Sequence, residues 1–91
     1  MKELHSIRKE IDAINTELLS LLAKRFSLTR KIGELKHVHG LPPKDTKREA
    51  AQLEKIVTQA KKLKLETNLI TKIFQLIVEE VVKEHKKNTH P

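Results

Sequence analysis

Apolar residues recur along the first part of the chain at Leu4, Ile7, Ile11, Ile14, Leu18 and Leu21, and after one interruption at Leu28, Ile32 and Leu35. The spacing alternates between three and four, which predicts a single amphipathic helix from Glu3 to Val38. Gly33 is the one helix-weakening residue of that span, at a cost of about 1 kcal/mol against alanine, too little to break it. The segment His39-Gly40-Leu41-Pro42-Pro43 supplies the stop, with glycine as C-terminal cap and proline beyond it.

A second helix is expected to begin at Asp45 or Thr46. Thr46-Lys47-Arg48-Glu49 reads as a capping box, with Thr46 capping and Glu49 reaching back. Leu53, Ile56, Val57, Ala60 and Leu63 form its apolar face. A short turn, KLKLET, leads to a third helix from about Thr67 to His85. Its stripe is Ile70, Phe74, Ile77 and Val81, with Ile73 and Val78 flanking. The remaining polar residues, 86–91, read as a frayed tail behind a single helical domain, 1–85.

Length changes this picture. At ~1.5 Å per residue the first helix spans ~55 Å, whereas a compact chain of this size has a radius of gyration of only ~12 Å. The residues that remain cannot wrap such a rod. The stripe therefore calls for a second copy of the chain, and a homodimer with its long helices packed together is expected.

Composition supports an all-α fold: 37% of the 91 residues are apolar, 34% are charged, and only two are aromatic. No cysteine is present, which excludes thiolate chemistry and disulfides. No apolar run suits a signal peptide or a bilayer span, so a soluble, cytoplasmic protein is expected. The net charge of +7 points to an anionic partner.

Some of those charges interrupt the apolar stripe. Arg25 falls in its middle in helical projection, Lys36 lies about three turns later on nearly the same side, and Arg8 sits on its edge. An inward cation finds an anion, within the protein or in a ligand. Arg25 and Lys36 are ~16 Å apart along the axis, close enough for two long side chains to converge on one ligand. Arg8 is ~25 Å from Arg25 and can serve only a pocket of another protomer. The hinge, folded back by Pro42-Pro43, would bring Arg48, Asp45 and Glu49 beside Lys36, together with the amide donors of a helix N-terminus.

This ordered set resembles the small all-helical chorismate mutases, the AroQ class. The matching pieces are IRKEIDAINTELLSLLAKR, the KIGELK that follows, the hinge with D-x-x-RE in KDTKREAAQLEK, and ITKIFQLIVEEVV. The resemblance implies an interlocked three-helix homodimer that converts chorismate to prephenate without cofactor or metal. By the same carry-over, Arg8 of the other chain and Arg25 hold the two substrate carboxylates, with Arg48 assisting. Lys36 donates to the ether oxygen, and Asp45 and Glu49 receive the ring hydroxyl. Two positions depart from the family pattern. Val81 replaces a small hydroxyl residue, and His85 replaces the Gln or Glu that is a second donor to the ether oxygen.

Alternatives remain at this level. An isochorismate-pyruvate lyase, or a mutase of an amino-substituted chorismate, would share the scaffold. A nucleic-acid binder is disfavoured because Phe26 and Phe74 occupy core-like positions and leave no stacking platform. A bare dimerisation module would explain the stripe but not Arg25 and Lys36 inside it. His37 and His39 point to different sides and suggest no metal site; His5 and His90 read as solvated.

Overall fold

The computed structural model describes residues 1–89, the side chains of 88 and 89 excepted. Three helices follow in order: α1 (Lys2–Val38), α2 (Thr46–Lys62) and α3 (Thr67–Thr89). α3 packs against both of the others. The third helix runs beyond the expected end at His85, to Thr89. Lys86 and Lys87 are good helix formers, and polarity alone does not stop a helix. The expectations for His90 and for the end of the tail lie outside the described residues.

α1 ends in a complete Schellman motif. Gly40 takes a left-handed φ of 65°, the Leu41 N–H donates to the Lys36 carbonyl at 2.8 Å, and the Gly40 N–H donates to His37 at 3.3 Å. α2 ends the same way with a less suitable residue. Lys64 is left-handed at φ 59°, with Leu65 N–H on Ala60 at 2.9 Å and Lys64 N–H on Lys61 at 3.1 Å. This turn corrects one expectation: Leu63 is the cap residue, 71% exposed, and not part of the buried face of α2. The tight turn folds α3 back along α2, and Leu53 and Ile56 line a common cavity with Phe74 and Val78.

The start of α2 corrects a second expectation. The N-cap is Asp45, not Thr46. Asp45 has extended backbone angles, and its carboxylate accepts from the Arg48 N–H at 3.0 Å. Either residue type caps well. The anionic one gains additionally from the helix dipole.

α1 is the dominant shape. The molecule is 57 Å along its longest axis, with a radius of gyration of 16.8 Å, well above the ~12 Å of a compact chain. All nine stripe residues from Leu4 to Leu35 are between 43% and 60% exposed. Among the described residues no large side chain is fully enclosed, and the only buried side chains are Ala60 and His85. No helix among these residues is long and apolar enough to cross a membrane.

The left-handed lysine is a point of strain, since an L-residue there costs about 1–2 kcal/mol that glycine avoids. Lys64→Gly is expected to stabilise the protein by about 0.5–1 kcal/mol. The gain should appear as a higher urea midpoint with unchanged slope at fixed protein concentration. A lower midpoint would contradict this account of the turn.

Candidate functional site

Each helix delivers one polar-edged stripe to a common cavity of about 140 Å³. α1 contributes Arg25, Thr29, Ile32 and Lys36, spaced four, three and four, which keeps them on one face. The hinge and α2 contribute Asp45, Arg48, Glu49 and Gln52, at offsets of three, four and seven from Asp45. α3 contributes Val78, Val81, Val82 and His85 at the same offsets. Seven of the eight residues singled out from the sequence therefore line one cavity. Arg8 is the exception. It is exposed, lies ~25 Å from Arg25 along the rod, and is not among the lining residues.

The cations are held differently. Lys36 Nζ donates to the Pro43 carbonyl at 3.1 Å, which ties the end of α1 to the hinge and leaves the ammonium two further N–H donors. Arg25 is half-buried, with its guanidinium carbon 6.0 Å from the centre of the Phe74 ring. That ring face is a weak electrostatic partner. Arg25 Nη1 is enclosed and has no hydrogen-bond partner among the described residues. An enclosed charged donor without an acceptor costs at least about 1–3 kcal/mol, a cost that a ligand acceptor would relieve if the guanidinium turned into the cavity.

His85 is 3% exposed. Its Nε2 lies 2.8 Å from the Thr29 carbonyl. A carbonyl oxygen only accepts, so Nε2 carries the proton of this bond. His85 Nδ1 is enclosed and unpartnered among the described residues. Val81 offers only apolar contact.

The site reading missed Thr29, Pro43 and Gln52. Gln52 was accessible, because it completes the helical series that starts at Asp45. Thr29 and Pro43 act through main-chain carbonyls, which leave no mark in a side-chain pattern.

A larger cavity, about 320 Å³, lies on the α2–α3 side and shares Glu49, Gln52 and Val78 with the first. Its other walls include Leu53, Ile56 and Phe74, and its charged residues are Glu49 and Glu79. Two carboxylates and no cation would repel an anion. Of these two, the smaller, cationic cavity suits an acidic ligand. The chemistry it offers is multipoint hydrogen bonding to carboxylates from Arg25 and Arg48, with one ammonium and two acceptors beside them.

Asp45 is at once a helix cap and a wall of this cavity, and the two roles separate by substitution. Asp45→Ala should cost about 1 kcal/mol of stability by removing the cap, and Asp45→Asn should keep most of it. Thermal unfolding of both variants checks this. Equal losses for alanine and asparagine would show that the cap is not what Asp45 stabilises.

Comparison with known proteins yields one consistent family. The family described as chorismate mutase type II matches residues 7–86. A bifunctional chorismate mutase/prephenate dehydratase of Buchnera aphidicola subsp. Schizaphis graminum is 45% identical over 85 residues, covering 93% of this chain but 22% of its own length. The T-protein of Haemophilus influenzae is 36% identical over 80 residues, 88% of this chain and 21% of its own length. The chorismate mutase of Methanocaldococcus jannaschii is 35% identical over 79 residues, 87% of this chain and 80% of its own length. The chain thus spans about a fifth of the length of the first two relatives and most of the third. With the match running from Ile7 through all three helices and every cavity-lining residue, this chain belongs to the chorismate mutase type II family.

Proposed function

We propose that the chain catalyses the intramolecular Claisen rearrangement of chorismate to prephenate, as a homodimer whose two cavities are each completed by Arg8 of the other copy. The observation that carries this reading is the convergence of Arg25, Lys36 and Arg48 with Asp45 and Glu49 on one small cavity, where Arg25 Nη1 has no acceptor. A cytoplasmic setting, in the route to phenylalanine and tyrosine, belongs to the same proposal.

The reaction breaks the ether C–O bond and forms a C–C bond within one molecule. It requires no nucleophile, net proton transfer or cofactor. The protein's task is to hold a flexible dicarboxylate in the folded, reactive geometry and to stabilise negative charge growing on the ether oxygen. Arg25 grips one carboxylate, assisted by Arg48. Lys36, already anchored to the Pro43 carbonyl, directs a free N–H to the ether oxygen. Asp45 and Glu49 accept from the ring hydroxyl, and Val81 contributes shape.

Charge balance supports a contribution from the second copy. Three cations and two carboxylates leave the cavity with one surplus positive charge, while the substrate is a dianion. Arg8, exposed at the far end of α1, supplies the missing charge if two long helices pack antiparallel. The bare stripe of α1 gives them a surface on which to do so.

The test is consumption of chorismate with identification of the product. Wild type should form prephenate, and Arg25→Ala should lower kcat/KM by about 10²–10³-fold, the scale of one lost charge-stabilising donor. Circular dichroism should show the variant folded. Undiminished activity in Arg25→Ala, or the absence of prephenate from the wild-type reaction, would reject the assignment.

A further inference from the structure

We propose that a collar of lysines beside the cationic cavity, Lys44 from the hinge with Lys83, Lys86 and Lys87 from α3, draws the dianionic substrate to the site through its electrostatic field. The inference rests on the mutase reading and deepens it. It concerns how the substrate reaches the cavity, not how it rearranges.

The four lysines line a separate outer cavity of about 410 Å³, together with Val78, Glu79 and Val82. Val78 and Val82 also wall the inner, cationic cavity, so the two adjoin along α3. The sequence explains the adjacency. Lys44 stands between Pro43 and Asp45, both of which line the inner cavity. Glu79, Lys83 and Lys86 each follow an inner-cavity residue by one position, after Val78, Val82 and His85 respectively. One residue is a rotation of about 100° on a helix. α3 therefore turns valines and His85 to the inner cavity and a charged stripe to the space beside it.

Four lysines against one glutamate leave the outer cavity with three positive charges in surplus, where the inner one has a surplus of one. All four lysines are exposed. An exposed ammonium is a hydrated point charge that holds any single partner weakly. Several of one sign together raise the local concentration and arrival rate of a counter-ion. The outer cavity also has no arginine fork to grip a carboxylate, while the inner one has two. A dicarboxylate thus gathers at the lysines and is held at the arginines. No α1 residue enters the outer cavity, so a second copy seated on the α1 stripe need not cover it.

A field of this kind is screened by salt: the Debye length falls from ~30 Å at 0.01 M to ~3 Å at 1 M ionic strength. A side chain that touches the substrate would act at either extreme, and one that steers acts only at the first.

The experiment measures kcat and KM for chorismate at fixed pH and protein concentration, from low to high salt. Wild type is compared with the triple variant Lys44→Gln/Lys83→Gln/Lys87→Gln; Lys86 has an interaction of its own and is left in place. The control is Lys55→Gln/Lys61→Gln/Lys62→Gln, which removes the same charge from exposed positions of α2 outside both cavities. At ~0.01 M ionic strength the collar variant should lose at least about threefold in kcat/KM, through KM, with kcat within about twofold of wild type. The gap should close by ~0.5 M, and the control should stay within about 1.5-fold of wild type throughout. Equal losses in collar variant and control, a gap that persists at high salt, or a loss confined to kcat would overturn the proposal while leaving the mutase intact. A wild type that forms no prephenate would overturn the mutase reading, and this inference with it. Should the triple variant not fold, Lys44→Gln/Lys83→Gln decides by the same criteria, with a low-salt gap of at least about 1.5-fold expected.

Discussion

A helix of 37 residues in a chain of 91 is the constraint on which everything else depends. The 57 Å rod cannot be covered by two shorter helices that turn back on each other through a four-residue link. Its apolar stripe stays bare from Leu4 to Leu35, and the chain buries almost nothing large. Stability comes mainly from burying apolar area, so such a protomer has little to offset its chain entropy alone. A second copy along the rod would remedy this. The same pairing, if the long helices run antiparallel, would carry Arg8 to the partner's cavity, which it cannot reach on its own helix ~25 Å away. Stability and catalysis would then depend on one interface.

The rest of the architecture brings charge to one place. The Schellman turn at Gly40 and the proline pair reverse the chain, and Lys36 fastens α1 to the hinge through the Pro43 carbonyl. Asp45 closes the N-terminus of α2 and so sets the rotation at which Arg48, Glu49 and Gln52 face inward. α3 supplies an apolar wall and one buried histidine, bonded to the main chain of α1. The cations sit where they have few partners of their own, Arg25 Nη1 least of all. Such donors cost stability in the empty protein and would return it on binding an anion.

Much of this was legible in the sequence, for a physical reason. The 3–4 spacing of apolar residues fixes a helix and its face, and Gly-Leu-Pro-Pro fixes where α1 stops. Charges inside an apolar stripe are costly, so Arg25 and Lys36 marked the cavity before any geometry was known. What escaped depends on backbone detail. Asp45 and Thr46 are both good caps, and only the extended angles at Asp45 decide between them. Leu63 fits the period of α2 yet falls where the helix ends, because Lys64 adopts a conformation that glycine would have announced. Residues 86–89 are polar enough to look frayed and helix-forming enough to continue. The tautomer of His85 is set by the carbonyl of Thr29, for which any residue except one that moved the backbone would have served.

The central claim is that each cavity is shared between two chains, and subunit complementation addresses it most directly. Arg8→Ala and Arg25→Ala are each prepared, mixed in equal amounts, unfolded and refolded together. If Arg8 serves the cavity of its partner, each variant alone is impaired in both sites, but a mixed dimer has one site with both arginines. Random pairing in a two-fold dimer then returns about a quarter of the wild-type activity. A mixture no more active than the average of the two variants would contradict the shared site.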